Sequence, residues 1–154
     1  MPRSGPVPKR PFVPDVRYKD DVCGYFINVI MQCGKKYAAE RVFYGAMDYI
    51  SGKGGDPLEV FHLAVENVGP TVEVRPQPVG GVVYQIPRDV HQRRRISLAA
   101  MWIRDASRNK KGAPMHIALG EEIWLASRKE GAAFKKHENV NAMAKSSIGM
   151  VRGS

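Results

Sequence analysis

Glycine and proline residues break this chain into short segments, most of which have the apolar spacing of a helix. The clearest break is SGKGGD at residues 51–56, where Pro57 follows Asp56 and Glu59 stands three residues after that aspartate. An aspartate N-cap followed by proline and a glutamate marks the start of a helix. The sequence therefore predicts a bundle of helices separated by these breaks.

Apolar residues recur at helical spacing in six segments. Glycine or proline ends most of them, as Gly34 does for the first and Gly69-Pro70 does for the third. The predicted helices run from Asp20 to Cys33, from the GKK at 34–36 to Ile50, from Asp56 to Val68, from roughly Asp89 to Arg108, from Pro114 onward, and from about Gly131 to Ala144.

Two β-type runs lie between the third and fourth predicted helices, at 71–75 and 82–86, and a loop with two prolines and two glycines separates them. Alternate residues of each run are apolar, which is typical of a ribbon with one buried face; these are Val72, Val74, Val82, Tyr84 and Ile86. The predicted fold class is mainly α: a six-helix bundle with one protruding antiparallel β-hairpin, at about residues 71–87, and an extended basic N-terminal arm.

A length of 154 residues suits one hydrophobic core. We expect residues 1–19 to form the arm, 20–145 a single helical domain with the inserted hairpin, and 146–154 a flexible tail. The arm contains five prolines and is too polar to pack alone; a merely disordered terminus is the alternative. Its cations are Arg3, Lys9, Arg10, Arg17 and Lys19.

Charge is distributed unevenly along the chain. Residues 1–19 carry a net +4, residues 20–73 a net −4 and residues 74–154 a net +9, for a total of +9. An excess of this size favours a polyanionic partner. Nucleic acid is therefore the first candidate partner.

The fourth predicted helix has cations on one side. At about 100° per residue, Arg94, Arg104 and Arg108 fall within an arc of about 80°, and Arg93 lies near it. Asp105 is the only nearby acid, whereas a solvated face usually mixes both signs. The stripe suits a phosphate backbone, and its candidate residues are Arg93, Arg94, Arg95, Arg104 and Arg108, extended by Arg88, Lys110 and Lys111.

No motif predicts an enzyme or a metal site. The GKK at 34–36 lacks the first glycine and the Ser or Thr of a phosphate loop, and the four histidines are scattered without metal-ligand spacing. Adjacent Glu121 and Glu122 point about 100° apart and are interpreted as a solvated face. Trp102 and Trp124 are interpreted as core residues. We expect no cofactor.

The two cysteines do not form a disulfide framework. Cys23 and Cys33 are predicted on one helix, where ten residues separate them by about 15 Å, beyond disulfide reach. This indicates a reduced, intracellular protein. No apolar run approaches the ~20 residues of a membrane span, so we expect no membrane partner.

Several motifs in order resemble the bacterial-type small-subunit ribosomal protein S seven family. They run over roughly residues 1–144. The first matching segments are MPRSGPVPKRP and PD, followed by FIN, M, GKK and AER. After these come DPLEVF, AVENV, and VGG followed by YQIP. The last are RR before LA and W in the fourth predicted helix, and GAAFKKHE before MA.

The resemblance implies a non-enzymatic constituent of the small ribosomal subunit, in a bacterial cytoplasm or in an organelle. It implies binding to the 3′ major domain of the small-subunit rRNA, nucleation of head assembly beside neighbouring head proteins, and proximity to the exit-site tRNA and the mRNA path. By position, the implied rRNA-contacting residues are Lys9, Arg10, Lys35, Lys36, Arg75, Arg93, Arg94, Lys135, Lys136 and His137.

The hairpin tip departs from the family pattern. The family usually has Ser-Arg-Arg before VGG, whereas this chain has Pro76-Gln77-Pro78 and so lacks two expected cations. We expect a stiff tip that contacts tRNA or mRNA by shape; its residues are Pro76, Gln77, Pro78, Val79, Gly80 and Gly81. The tail KSSIGMVRGS also lacks the family's aromatic residues, so contacts of that tail are not carried over.

Two other classes of function stay open at this point. The same charge suits a free-standing basic nucleic-acid-binding architectural protein, which would not travel with small subunits in purified particles. A small enzyme would need polar residues that converge in a pocket.

Overall fold

The computed structural model describes Gly5, residues 11–79 and residues 81–152. In these residues, six helices and one two-stranded antiparallel hairpin confirm the predicted mainly α fold class. The elements are α1 (Asp21–Ile30), α2 (Lys36–Gly52), α3 (Pro57–Val68), β1 (Val72–Val79), β2 (Val82–Asp89), α4 (Gln92–Asn109), α5 (Met115–Ser127) and α6 (Gly131–Arg152).

Aspartate caps begin two of the helices where the sequence predicts them. The side chain of Asp20 accepts a hydrogen bond from the Cys23 amide at 2.8 Å at the start of α1. Asp56 accepts from the amide of Leu58 at 2.9 Å and from that of Glu59 at 3.4 Å at the start of α3. Both caps satisfy N–H groups that the first helical turn leaves without partners.

Three phenylalanines bring the first three helices together. Phe26, Phe43 and Phe61 are fully buried, with ring centroids 5.2–5.8 Å apart. Helix α5 packs against α2, α3 and α4, and its buried face includes Leu119 and Ile123. The helices thus share one core, and α6 packs against both strands of the hairpin.

The hairpin has longer strands than the sequence predicts. Pro76-Gln77-Pro78, expected in a loop, lies in β1 opposite Gln85, Tyr84 and Val83. Residues two apart in a strand direct their N–H groups to the same side, so both prolines can face away from β2. Residues 76–78 of the expected loop are therefore in a strand; β1 ends at Val79, β2 begins at Val82, and Gly81 before it has a φ of +86°.

Three helix boundaries differ from the expectation. Helix α1 ends at Ile30, so Cys33 lies outside it, in an exposed turn with a φ of +52°, and the two cysteines do not share a helix. Helix α4 begins at Gln92 because β2 continues to Asp89. Helix α6 continues to Arg152 through most of the segment 146–154 predicted as a tail.

Residues 11–19 of the predicted arm pack against the helices. Asp15 is buried and accepts hydrogen bonds from the Tyr44 hydroxyl at 2.7 Å and from the amides of Arg17 and Tyr18 at 3.1 and 3.0 Å. The Phe12 ring lies 4.6 Å from that of Tyr25. This part of the arm is therefore anchored on α1 and α2. Arg3, Lys9 and Arg10 lie outside the described residues.

Helix α1 has a glycine where the arm crosses it. A Cβ at Gly24 would overlap the carbonyl oxygen of Val13 and lie 3.1 Å from the Asp15 amide nitrogen. Only glycine permits this close approach of the two backbones. None of the helices in the described residues is long and apolar enough to cross a membrane.

Candidate nucleic-acid interface

Two of the three consecutive arginines at the start of α4 are exposed. The Arg93 guanidinium lies 4.5 Å from the centre of the Phe12 ring. Arg94 Nε lies 3.4 Å from Glu73 Oε2, and Arg75 Nε donates to the other oxygen of this carboxylate at 2.6 Å. Glu73 thus joins the base of the hairpin to α4 between two cations.

Arg95, the third of these arginines, is directed into the protein. Its Nε donates to the Gly69 carbonyl at 3.0 Å and its Nη2 to the Glu66 carbonyl at 2.9 Å. These carbonyls lie at the C-terminus of α3, where a cation is favourable. Arg95 therefore caps a neighbouring helix.

Arg104 and Arg108 converge on the C-terminus of α1. Arg108 Nη2 donates to the Ile30 carbonyl at 2.9 Å, and Arg104 Nη1 lies 3.4 Å from the Val29 carbonyl. Arg104 also donates to Asp105 at 2.8 Å. Two members of the predicted stripe are thus held by backbone oxygens of α1, and the Ile30 carbonyl fixes the guanidinium of Arg108 without neutralising it.

Lys110 takes part in a partly buried ion-pair cluster. Its ammonium lies 3.2 Å from Glu121 Oε2 and 3.1 Å from Glu122 Oε2, the latter outside hydrogen-bond geometry. Glu122 is fully buried, and its Oε1 accepts from the Ala133 amide at 2.9 Å in the first turn of α6. The interpretation of Glu122 as part of a solvated face is therefore wrong: it caps α6. Lys111 is exposed.

The remaining candidate cations lie at the starts of two helices. Lys35 and Lys36 are exposed at the start of α2, where Lys36 lies 3.8 Å from Glu40 and no side chain caps the helix. On α6, Lys135 and Lys136 are exposed, and the Lys136 ammonium lies 5.5 Å from the centre of the Trp102 ring. Trp102 is 8% exposed and confirms the expectation of a core residue.

His137 contacts other parts of the protein through both ring nitrogens. Its Nδ1 lies 3.2 Å from the Val68 carbonyl and its Nε2 lies 2.7 Å from the Asn141 amide nitrogen, and the ring stacks on Phe134. A neutral imidazole with its proton on Nδ1 satisfies both contacts. His137 therefore joins α6 to the end of α3.

The described hairpin residues Pro76, Gln77, Pro78 and Gly81 are exposed. Gln77 accepts a hydrogen bond from Arg88 at 3.0 Å, so a cation of β2 lies beside the uncharged stretch. Gly80 and the Val79 side chain lie outside the described residues.

Sequence reasoning missed a groove between the hairpin, α4 and α6. It has a volume of about 640 Å³ and is lined mainly by apolar side chains, among them Val74, Tyr84, Trp102 and Met143. Its residues come from three distant segments, so no local motif indicates it. In the described part of the chain, no group of three His, Cys, Asp or Glu side chains lies close enough to hold a metal ion.

Comparison with known proteins gives one consistent family. The model of the family described as ribosomal protein S7p/S5e matches residues 2–147. The small ribosomal subunit protein uS7 of Aromatoleum aromaticum is 48% identical over 145 residues, which cover 94% of this chain and 93% of that protein. Its counterpart in Nitrosomonas europaea is 45% identical over 147 residues, 95% of this chain and 94% of that protein.

These matches define a class of protein: a structural, non-enzymatic constituent of the small ribosomal subunit. The chain belongs to the ribosomal protein S7p/S5e family. Its membership confirms the resemblance seen in the sequence and the prediction that the protein is not an enzyme. The relatives named here are bacterial small-subunit proteins.

Proposed function

We propose that this protein binds the 3′ major domain of the small-subunit rRNA and nucleates assembly of the head, and that α4 and the base of the hairpin carry the main phosphate contacts. The observation that supports this most strongly is the pair of exposed arginines, Arg93 and Arg94, beside Arg75. Glu73 is the one carboxylate paired with Arg75 and Arg94 among the described residues. Arg75 and Arg94 thus carry two positive charges against one carboxylate, and RNA phosphates would supply the remainder.

Arg104 and Arg108 contribute to this surface in a different way. Arg108 is held by the Ile30 carbonyl, which carries no net charge, so its positive charge is fixed in place without being cancelled. A fixed cation loses less side-chain entropy on binding a phosphate than a mobile one. We assign Lys35, Lys36, Lys111, Lys135 and Lys136 to the periphery of the same RNA surface.

We assign contact with the exit-site tRNA and the mRNA path to the hairpin. Residues 76–78 are uncharged and lie within the regular strand β1, so the end of the ribbon is stiffer than a loop would be. Its contacts would depend on shape and on backbone groups rather than on phosphate pairing. Neighbouring proteins of the small-subunit head are the remaining proposed partners.

The rRNA proposal is tested by the double variant Arg93→Ala/Arg94→Ala. Binding to a transcript of the 3′ major domain should weaken, and the dependence of log K on log salt should fall by about one for each arginine. Arg41→Ala/Lys145→Ala removes two exposed cations outside the candidate surface and serves as the control. Unchanged affinity and salt dependence in the first variant would overturn the assignment.

A further inference from the structure

Two cations make cation–π contacts with one partly exposed tryptophan, away from the hairpin. The Arg128 guanidinium lies 4.7 Å from the centre of the Trp124 ring, and the Lys53 ammonium lies 5.9 Å from it. The same ammonium lies 4.7 Å from the centre of the Tyr49 ring. Tyr49, Lys53, Trp124 and Arg128 are named here the Trp124 patch.

The positive charge of the Trp124 patch has no acidic partner. In the described part of the chain, neither Lys53 nor Arg128 has a carboxylate within ion-pair distance, and both are exposed. Lys129, next along the chain, is also exposed and unpaired within the same residues. The patch therefore presents uncompensated cations around aromatic rings.

The position of the Trp124 ring is fixed by packing. A Cβ at Gly55 would lie 2.8 Å from Trp124 Cζ3, so glycine lets the edge of the ring rest on the turn between α2 and α3. Trp124 packs against the core, as the sequence suggested, but it is only partly buried. The ring is thus held in one orientation and needs little reorganisation to bind a flat group.

The Trp124 patch is separate from the surface to which rRNA binding is assigned above. It lies at the C-terminal end of α2, on α5 and on the turn that follows α2, whereas Lys35 and Lys36 lie at the opposite end of α2. Neither α2 nor α5 contacts the described residues of the hairpin. Helix α5 carries none of the candidate rRNA-binding residues. A ligand at this patch would therefore not occupy the surface around Arg93 and Arg94.

We propose that the Trp124 patch is a second nucleic-acid-binding surface, which binds an unpaired segment of RNA by stacking a base on Trp124 and pairing phosphates with Lys53 and Arg128. Aromatic rings beside cations are the usual means of binding single-stranded nucleic acid. An exposed cation–π contact is weaker than a base–aromatic stack, so a base can displace Arg128 from the ring. The released guanidinium is then available to the adjacent phosphate.

Tryptophan fluorescence tests this directly, because Trp102 and Trp124 are the only tryptophans in the chain. In the full-length variant Trp102→Phe, the remaining emission reports on Trp124 alone. Single-stranded oligoadenylate of roughly ten nucleotides should quench it saturably, and added salt should reverse the effect. Duplex RNA of the same length should quench it far less, because its bases are already stacked.

Variants of the patch separate stacking from charge. Trp124→Leu keeps an apolar side chain against Gly55 and should bind a labelled oligoadenylate about tenfold more weakly, as expected for one lost base stack. Lys53→Ala/Arg128→Ala should retain the fluorophore and weaken the quenching, whereas the charge-matched control Arg41→Ala/Lys145→Ala should not. Thermal unfolding of each variant checks that it is folded.

Two results would overturn the proposal: oligoadenylate that leaves Trp124 emission unchanged, or quenching by polyglutamate alone, which would indicate an acidic protein partner. If Trp102→Phe does not fold, oligoadenylate is photocrosslinked to the unaltered protein instead. We expect a crosslink in the peptide that contains Trp124. The absence of this crosslink would count against the proposal. Arg93→Ala/Arg94→Ala should leave this binding unchanged. Failure here is thereby distinguished from failure of the rRNA assignment.

Discussion

Arg95 lies against Gly69, with its Cγ only 2.7 Å from the position that a Cβ of residue 69 would occupy and its Nε 3.0 Å from the carbonyl oxygen. Glycine at this position lets the side chain reach the end of α3. Arg95 therefore has a different task from Arg93 and Arg94, although the three are consecutive. Arg95 caps α3, whereas Arg93 and Arg94 are exposed on α4.

Replacing Arg95 should affect stability more than RNA affinity. Arg95→Ala removes two hydrogen bonds to carbonyls of α3 and should lower the free energy of unfolding by about 1–3 kcal/mol. Arg94→Ala is the matched control, because its exposed contact with Glu73 contributes less than about 1 kcal/mol. Denaturant unfolding of both variants measures the difference, and equal losses would contradict it.

Replacing Glu122 should lower the free energy of unfolding more than replacing most other side chains. Glu122→Ala removes the cap of α6 and leaves Lys110 with only the more exposed Glu121. We expect the free energy of unfolding to fall by about 2–4 kcal/mol. Chemical denaturation provides the measurement.

Glu121→Ala is the control for Glu122→Ala. Its carboxylate is 45% exposed, so its ion pair with the same ammonium should contribute less than about 1 kcal/mol. A Glu121 variant as unstable as the Glu122 variant would mean that the shared lysine, and not the helix cap, dominates.

Gly24→Ala should detach the arm from α1. The added Cβ would overlap the Val13 carbonyl, so residues 13–15 must shift, and the Asp15 hydrogen bonds would be strained. We expect a loss of about 1–3 kcal/mol and faster proteolysis within residues 11–19. Gly52→Ala, where a Cβ would meet open space at the last residue of α2, should be neutral or slightly stabilising.

The Asp15–Tyr44 pair should make stability depend on pH at both extremes. Burial raises the pKa of Asp15, but hydrogen bonds from the Tyr44 hydroxyl and from the amides of Tyr18 and Arg17 together hold it below 3.8. The ionised Asp15 carboxylate therefore stabilises the folded state. This stabilisation is complete above pH 3.8 and is lost as the pH falls through the lower pKa of the folded state. Asp15→Asn should flatten this acid limb of the unfolding free energy.

At the alkaline extreme the sign is reversed. Burial, and then the hydrogen bond to Asp15, raise the pKa of Tyr44 from 10.0 to about 12. The neutral phenol is therefore favoured in the folded state, so its contribution is present below pH 10 and is lost as the pH rises towards 12. Tyr44→Phe should remove this limb, and a Tyr44→Phe profile that still falls steeply there would contradict the assignment.

Local signals in the sequence predict the elements well. The caps Asp20 and Asp56 lie where the helical spacing begins, because capping depends on residues only two or three apart. The prolines at 76 and 78 led to a wrong prediction of a loop. Proline fits a strand when its nitrogen faces away from the paired strand, here β2. That relationship is set by the register with a segment further along the chain.

The roles of individual charges could not be predicted in the same way. Helical spacing places Arg104 and Arg108 on one side of α4, but it does not reveal that the end of α1 meets them there. Glu122 differs from Glu121 only through its position relative to α6. A charged residue's partner comes from tertiary packing, and sequence spacing alone cannot supply it.

Glu73 affects how a phosphate would bind to Arg94. Its carboxylate contacts both Arg75 and Arg94, so a phosphate that binds Arg94 would share this cation with Glu73 or take the place of Glu73. Glu73 would still contact Arg75, but its negative charge would repel a strand bound this close. We therefore expect a polyanion to bind here firmly only when its other contacts with the protein outweigh this repulsion.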